Sequence, residues 1–345
     1  MSPIAPADRF DLRSDVRSDV PGTVLVALDG SPFAESALAH ARPLARALGS
    51  GLHLVTVLDP ARTGATSRTS AEGRLQRLEA VAALERVAEA LRSEGHRCTF
   101  EVREGQPSTE IEASVMERRV GTVALAVRPR SAKERLTPGS VTQGVLNSGA
   151  AALLIARGKE RRAARPRGPL EACYGRIAVA VDGSSASHRA LRLASFLACR
   201  DGAEIVLVHV LATSTPHSPP THDASTSELV RGIPFREASE ALRYLRVVER
   251  KVSLHGVPVR SRLFYSWSEA DAVQADADLL VVAAGGDALH ARGYGRGTQR
   301  LLLHARIPVL VWRDQSAAAT PAEPWSPGRA ARAMRRAPAR RSRME

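Results

Sequence analysis

Short apolar runs alternate with longer amphipathic stretches along most of the chain, and the alternation runs twice. In the first half, residues 23–29, 52–58, 98–104, 122–127 and 151–156 have the length and apolar content of strands. Between them, residues 31–48, 71–95, 109–119 and 139–148 carry helix-period patterns. Helix 71–95 has Leu75, Leu78, Val81, Ala82, Leu84, Val87, Ala88 and Leu91 on its expected apolar side. The second half repeats the order, with strands at 176–182, 204–211, 258–264, 278–284 and 308–313 and helices at 185–200, 235–255, 268–275 and 297–305. Strands that alternate with helices through short connections predict an α/β fold with parallel sheets covered on both faces. Right-handed crossovers then give a doubly wound topology. For five strands the expected order is 3-2-1-4-5 in each half, with the switch point between strands one and four.

The two halves are copies. Residues 23–58 align without a gap with 176–211, and 15 of the 36 pairs are identical. Val26-Ala27-Leu28-Asp29-Gly30-Ser31 returns as Val179-Ala180-Val181-Asp182-Gly183-Ser184. In each copy the serine reads as a helix N-cap, after an aspartate at the carboxyl end of strand one. The expected organisation is a disordered arm at 1–20, domain one at 21–158, a basic linker at 159–174, domain two at 175–314 and a disordered tail at 315–345. The Ser/Thr/Pro-rich stretch 213–227 reads as a long connection.

Charge changes this picture little. The net charge is +13, but residues 157–168 and 315–345 each carry a net +5. The excess belongs to linker and tail, where a weak polyanion contact by counterion release is possible and a solvated segment is the simpler reading. Cys98, Cys173 and Cys199 lack metal or redox spacing. No apolar run reaches the length of a membrane span, and the N-terminus lacks an apolar signal core, so a cytoplasmic protein with no membrane contact is expected. There is no G-x4-G-K-[S/T], no G-x-S-x-G and no H-E-x-x-H, which argues against P-loop, nucleophile-elbow and zincin chemistry. No general base aligns with an activated nucleophile, so an enzyme is not expected, beyond slow incidental hydrolysis.

The Asp-Gly-Ser turns, His209-Val210 (and, less closely, Thr56-Val57) at the end of strand two, and Pro308-Val309-Leu310-Val311 in the last strand resemble the universal stress protein family in its tandem form. The resemblance covers residues 22–158 and 175–314. It implies a Rossmann-like fold, akin to the adenine-nucleotide α-hydrolases, and a stress-response regulator or sensor that binds ATP, with Mg2+ possible alongside. Family members that bind ATP carry G-x2-G-x9-G-[S/T] after strand four, where glycines admit phosphate and a helix N-terminus aims amides at it. Domain one keeps Gly139-Ser140, but the earlier glycine positions hold Ala126 and Pro129, and proline has no amide hydrogen. Domain two offers Gly285, Gly286, Gly293, Gly295 and Gly297 with Thr298, although Ala283 stands at the first position.

The resemblance therefore favours Asp182, Val210, Gly286, Gly295, Gly297 and Thr298 as the nucleotide site. Asp29, Val57, Gly139 and Ser140 form a degenerate counterpart in domain one. It also implies that the domains pair through their last strands within the chain; a homodimer and a regulatory protein partner are further possibilities. The alternative reading is a nucleotide-free interaction module with degenerate loops. In that case the two aspartates serve as helix-start residues and no more.

Overall fold

In a computed structural model the chain is described over residues 22–60, 70–127, 140–148, 151–157, 165–166, 172–211, 235–265, 276–284 and 305–313. Domain one runs β1 (Thr23–Ala27), α1 (Pro32–Leu48), β2 (Leu52–Leu58), α2 (Ala71–Ser93), β3 (Cys98–Glu104), α3 (Pro107–Arg118), β4 (Val120–Val127), α4 (Ser140–Ser148) and β5 (Ala152–Arg157). A two-residue ladder, β6 (Arg165–Pro166) with β7 (Ala172–Cys173), lies in the connection. Domain two runs β8 (Arg176–Ala180), α5 (Ser185–Asp201), β9 (Glu204–Val210), α6 (Phe235–Ser253), β10 (Val259–Phe264), β11 (Leu279–Ala284) and β12 (Val309–Arg313).

The strands β1 to β5 and β8 to β12 make one sheet, in the order β10-β9-β8-β11-β12-β5-β4-β1-β2-β3. Each half is parallel and has the expected order 3-2-1-4-5. The halves join where β12 pairs antiparallel with β5, with Val309 opposite Ile155, Leu310 opposite Leu154 and Val311 opposite Leu153. Side chains alternate across this seam. Leu154 and Leu310 enter the core under α1 and α5, while Leu153, Ile155, Val309 and Val311 enter the core on the other face. Both hydrophobic cores therefore run through both domains. Because β5 and β12 satisfy each other's edges, those edges are closed to a second copy of the chain while the pairing holds.

Local chemistry sets the helix ends nearest the crevices. Ser31 Oγ accepts from the Ala34 amide at 3.1 Å, and Ser184 Oγ accepts from the Ser187 amide at 3.1 Å. Pro32 follows Ser31 in the first turn of α1, where its missing amide costs nothing. The turns pass through Gly30 (φ +78°) and Gly183 (φ +83°), a left-handed conformation that a side chain would strain.

Two local expectations differ. Leu75 and Leu78 of α2 are 56% and 66% exposed, and the buried residues of this helix are Leu84, Ala88 and Leu91. A helix of this length spans about 34 Å, whereas seven-residue β3 spans about 23 Å, so the first turns of α2 overhang the sheet. The connection expected as a plain basic linker contains the β6–β7 ladder. Its exit residue, Tyr174, is buried against α1. The arm 1–20, the stretch 213–227, the helix expected at 268–275, all but the last residue of the helix expected at 297–305, and the tail 315–345 lie outside the described residues.

Candidate functional site

In domain one the switch point falls between β1 and β4, which pair with Val26 opposite Ala124. Their carboxyl ends thus open side by side, with β2 on the other flank of β1. Beside the Asp29-Gly30-Ser31 turn lies a cleft of about 450 Å3. Asp29, Glu35 and Thr56 bring polar atoms to it, while Leu58, Leu84 and Val87 supply apolar wall. Both Asp29 and Gly30 are exposed. Asp29 Oδ1 accepts from the Ser31 amide at 3.0 Å and from the Ser31 hydroxyl at 2.5 Å, so one carboxylate oxygen fixes the turn.

The Asp182 turn repeats this geometry. Its Oδ1 accepts from the Ser184 amide at 2.9 Å and the Ser184 hydroxyl at 2.6 Å. Burial works to raise the Asp182 pKa. The hydrogen bonds from the Ser184 and Ser187 hydroxyls and from the Ser184 amide outweigh burial and leave the pKa lowered. The surroundings differ, however. His188 Nε2 and the Tyr244 hydroxyl are 2.9 Å apart, and the Tyr244 ring lies 5.9 Å from the His188 ring and 6.1 Å from the His209 ring, centre to centre. His209 Nδ1 donates to the Val181 carbonyl at 2.7 Å. Tyr244 is 5% exposed.

Burial lowers the pKa values of His188 and His209, with the Asp182 charge opposing it in both and the Val181 hydrogen bond also opposing it in His209. Burial, and after it the same aspartate, raises that of Tyr244. Near neutral pH all three rings are therefore uncharged around one carboxylate.

The structure brings some of the sequence-derived candidates together and separates others. Asp29 and Asp182 occupy equivalent places at the switch points. Val57 and Val210 pack on the opposite face of the sheet from the aspartate turns, because neighbouring strand residues alternate. Their neighbours Thr56 and Leu58 line the domain one cleft, and His209 faces Tyr244 in domain two. Ser140 is the first residue of α4. Gly139, Gly286, Gly295, Gly297 and Thr298 lie outside the described residues. β11 ends at Ala284 beside β8, so the chain leaves for the glycine cluster at the same end of the sheet as Asp182.

Glu35, Ala83, His188 and Tyr244 were not among the candidates. Glu35 and His188 face each other in the gapless alignment of 23–58 with 176–211, and extending the alignment beyond strand two pairs Ala83 with Tyr244. Gly95 and Gly256 both sit at positive φ just before the third strand, and twelve residues upstream of each lie Ala83 and Tyr244.

A second polar cluster lies on the other face of domain one. Glu101 accepts from the Ser114 hydroxyl at 2.6 Å and from Arg118 at 2.9 Å, and His53 Nε2 stands 3.2 Å from it, off the line of a good hydrogen bond. Burial favours the neutral acid, but the hydrogen bonds from Arg118 and Ser114, with the close His53 ring acting in the same sense, hold the Glu101 pKa down to about 2. Ser114 and His53 both address the carboxylate and not each other, so the cluster braces β2, β3 and α3. Among the described residues no group of three or more His, Cys, Asp or Glu side chains gathers as a metal site, and no helix is long and apolar enough to cross a membrane.

The model of the universal stress protein family matches residues 22–157 and 174–313. The chain is similar to a universal stress protein from Archaeoglobus fulgidus DSM 4304, with 18% identity over 85% of this chain and 96% of that one, at a TM-score of 0.58. It is also similar to a putative universal stress protein from Pseudomonas aeruginosa UCBPP-PA14, with 16% identity over 88% and 96% and a TM-score of 0.59. No curated protein matches. Two family matches in one chain, each on a complete 3-2-1-4-5 sheet with an Asp-Gly-Ser turn at its switch point, place the chain in the universal stress protein family, in tandem form.

Proposed function

We propose that the protein is a stress-response regulator that binds an adenine nucleotide, ATP or a close relative, at a switch-point crevice without appreciable turnover. The observation that carries this is the cleft beside Asp29. Its volume of about 450 Å3 and its mixed lining are those of a small-ligand site. Leu58, Leu84 and Val87 offer apolar surface to a purine, and Thr56, Glu35 and Asp29 offer hydrogen-bond partners to its exocyclic amine or to a ribose hydroxyl. The sugar would then direct phosphates toward the chain that follows β4, where Arg128, Arg130, Lys133 and Arg135 concentrate positive charge in the sequence. Mg2+ would come with the phosphates and not through a protein cage.

Signalling in this reading is a population shift. Nucleotide orders the crevice rim, and the altered surface is what a partner protein reads. Calorimetry with ATP on the full chain tests it. Wild type is expected to bind, and Asp29→Ala to bind at least tenfold more weakly. An absence of heat at millimolar ATP, with the fold intact by circular dichroism, removes the nucleotide reading.

The alternative, a nucleotide-free interaction module, draws on the exposed Leu75 and Leu78 at the overhanging start of α2 and on Ala126 and Pro129, which replace phosphate-loop glycines. It is favoured if the calorimetry is silent and Leu75→Ser with Leu78→Ser abolishes capture of a partner.

A further inference from the structure

The two crevices are built from equivalent positions with unlike side chains. Asp29 and Gly30 correspond to Asp182 and Gly183, Glu35 to His188, Thr56 to His209 and Ala83 to Tyr244. In domain one a methyl group at Ala83 forms part of the wall of an open cleft. In domain two the phenol at the same place reaches across that space. Its hydroxyl lies against His188 at 2.9 Å, and its ring centre lies about equally far from the His188 and His209 rings, at 5.9 and 6.1 Å. The turn glycines record the difference independently: Gly30 is exposed and Gly183 is buried.

We infer that Tyr244, packed against His188 and His209, fills the base pocket of domain two, so that domain one alone takes the adenine. The inference rests on the nucleotide reading above and makes it asymmetric. Glycines after β11 do not restore a site whose base end is occupied by the protein's own side chain. The packing of that ring explains why it stays. Tyr244 is buried and its hydroxyl is hydrogen-bonded to the uncharged His188 ring, so expelling it into water would forfeit apolar burial and a satisfied polar group together. Domain two in this account supports domain one through the shared sheet and both shared cores, and its Asp182 keeps only the turn-fixing half of the role of Asp29.

The test is ATP titration of the full chain by calorimetry, combined with photo-crosslinking by 8-azido-ATP and peptide mapping. Wild type is expected to bind one equivalent, with label in peptides from residues 22–157. Ala83→Tyr copies the wedge into domain one and is expected to weaken binding at least tenfold, while Tyr244→Ala retains the domain one site. Should Ala83→Tyr fold poorly, Ala83→Leu gives a graded version of the same block, and the wild-type label position decides by itself. Two equivalents in wild type, label in peptides from residues 174–313, or full affinity in a folded Ala83→Tyr protein overturns the inference and leaves nucleotide binding standing. A wild-type chain that takes up no ATP removes both.

Discussion

His40 of α1 and Tyr174, the residue that leads into domain two, meet through a 3.0 Å hydrogen bond between Nδ1 and the phenol oxygen, with their rings stacked and both side chains buried. The Tyr174 amide in turn donates to Asp201 at the end of α5. One residue of the connection thereby engages both domains. Tyr174→Phe deletes the hydroxyl from a buried pair and is expected to cost about 1–2 kcal/mol. Urea denaturation should show a lower midpoint with an unchanged slope.

The Leu154–Leu310 pair makes a second prediction about domain coupling. The two are opposite each other at the centre of the seam, and both are fully buried. Leu154→Ala should cost about 2–5 kcal/mol. The loss falls on the surface that both domains share, so thermal unfolding, expected as one transition in the wild type, should broaden or divide in calorimetry. A sharp single transition with an unchanged midpoint would rule out the seam as the element that couples the domains.

Acid sensitivity follows from groups whose folded pKa values are depressed. Glu101 titrates near 2 in the folded chain, below its usual value of about 4.5. Its contribution is therefore present above the unfolded pKa and is lost as pH falls toward 2. Glu101→Gln should lower stability at pH 7 by about 1–3 kcal/mol, and the difference from wild type should vanish by pH 2. His53, His188 and His209 act at higher pH in the same sense. Burial lowers their pKa values, so the unfolded chain takes up protons near pH 6.5 while the folded chain does not. Wild-type stability should therefore decline from pH 7 to 5, and His209→Gln should flatten part of that slope in denaturation series at each pH.

The capping serines allow a comparison inside one molecule. Ser31 and Ser184 make the same pair of contacts, one to an aspartate and one to the third residue of the helix. Ser31→Ala and Ser184→Ala should each cost about 1 kcal/mol, measured by chemical denaturation. If the turn in domain one is also a ligand wall, Ser31→Ala should weaken ATP binding as well, and Ser184→Ala should not.

Much of this architecture was legible before any coordinates. The gapless repeat, the strand-length apolar runs and the Asp-Gly-Ser turns are local signals, and they returned as β1, α1, β2 and β8, α5, β9. The overhang of α2 was not legible. The apolar residues Leu75 and Leu78 continue the helix period, but the period carries no information about where the sheet beneath the helix ends. Val57 and Val210 came from a dipeptide motif, which does not say which face a side chain takes; theirs pack on one face of the sheet, and Thr56, Leu58 and His209 stand on the face of the aspartate turns.

The sequence by itself determined the duplication, the order of elements, the chirality of the winding and hence the position of each crevice, because these follow from periodicity, turn chemistry and the fixed hand of crossovers. Only the tertiary structure decided what fills each crevice. Ala83 and Tyr244 lie far along the chain from the aspartates they adjoin. Whether such a residue forms a wall or a plug depends on the packing of a helix across a sheet, which no local pattern encodes.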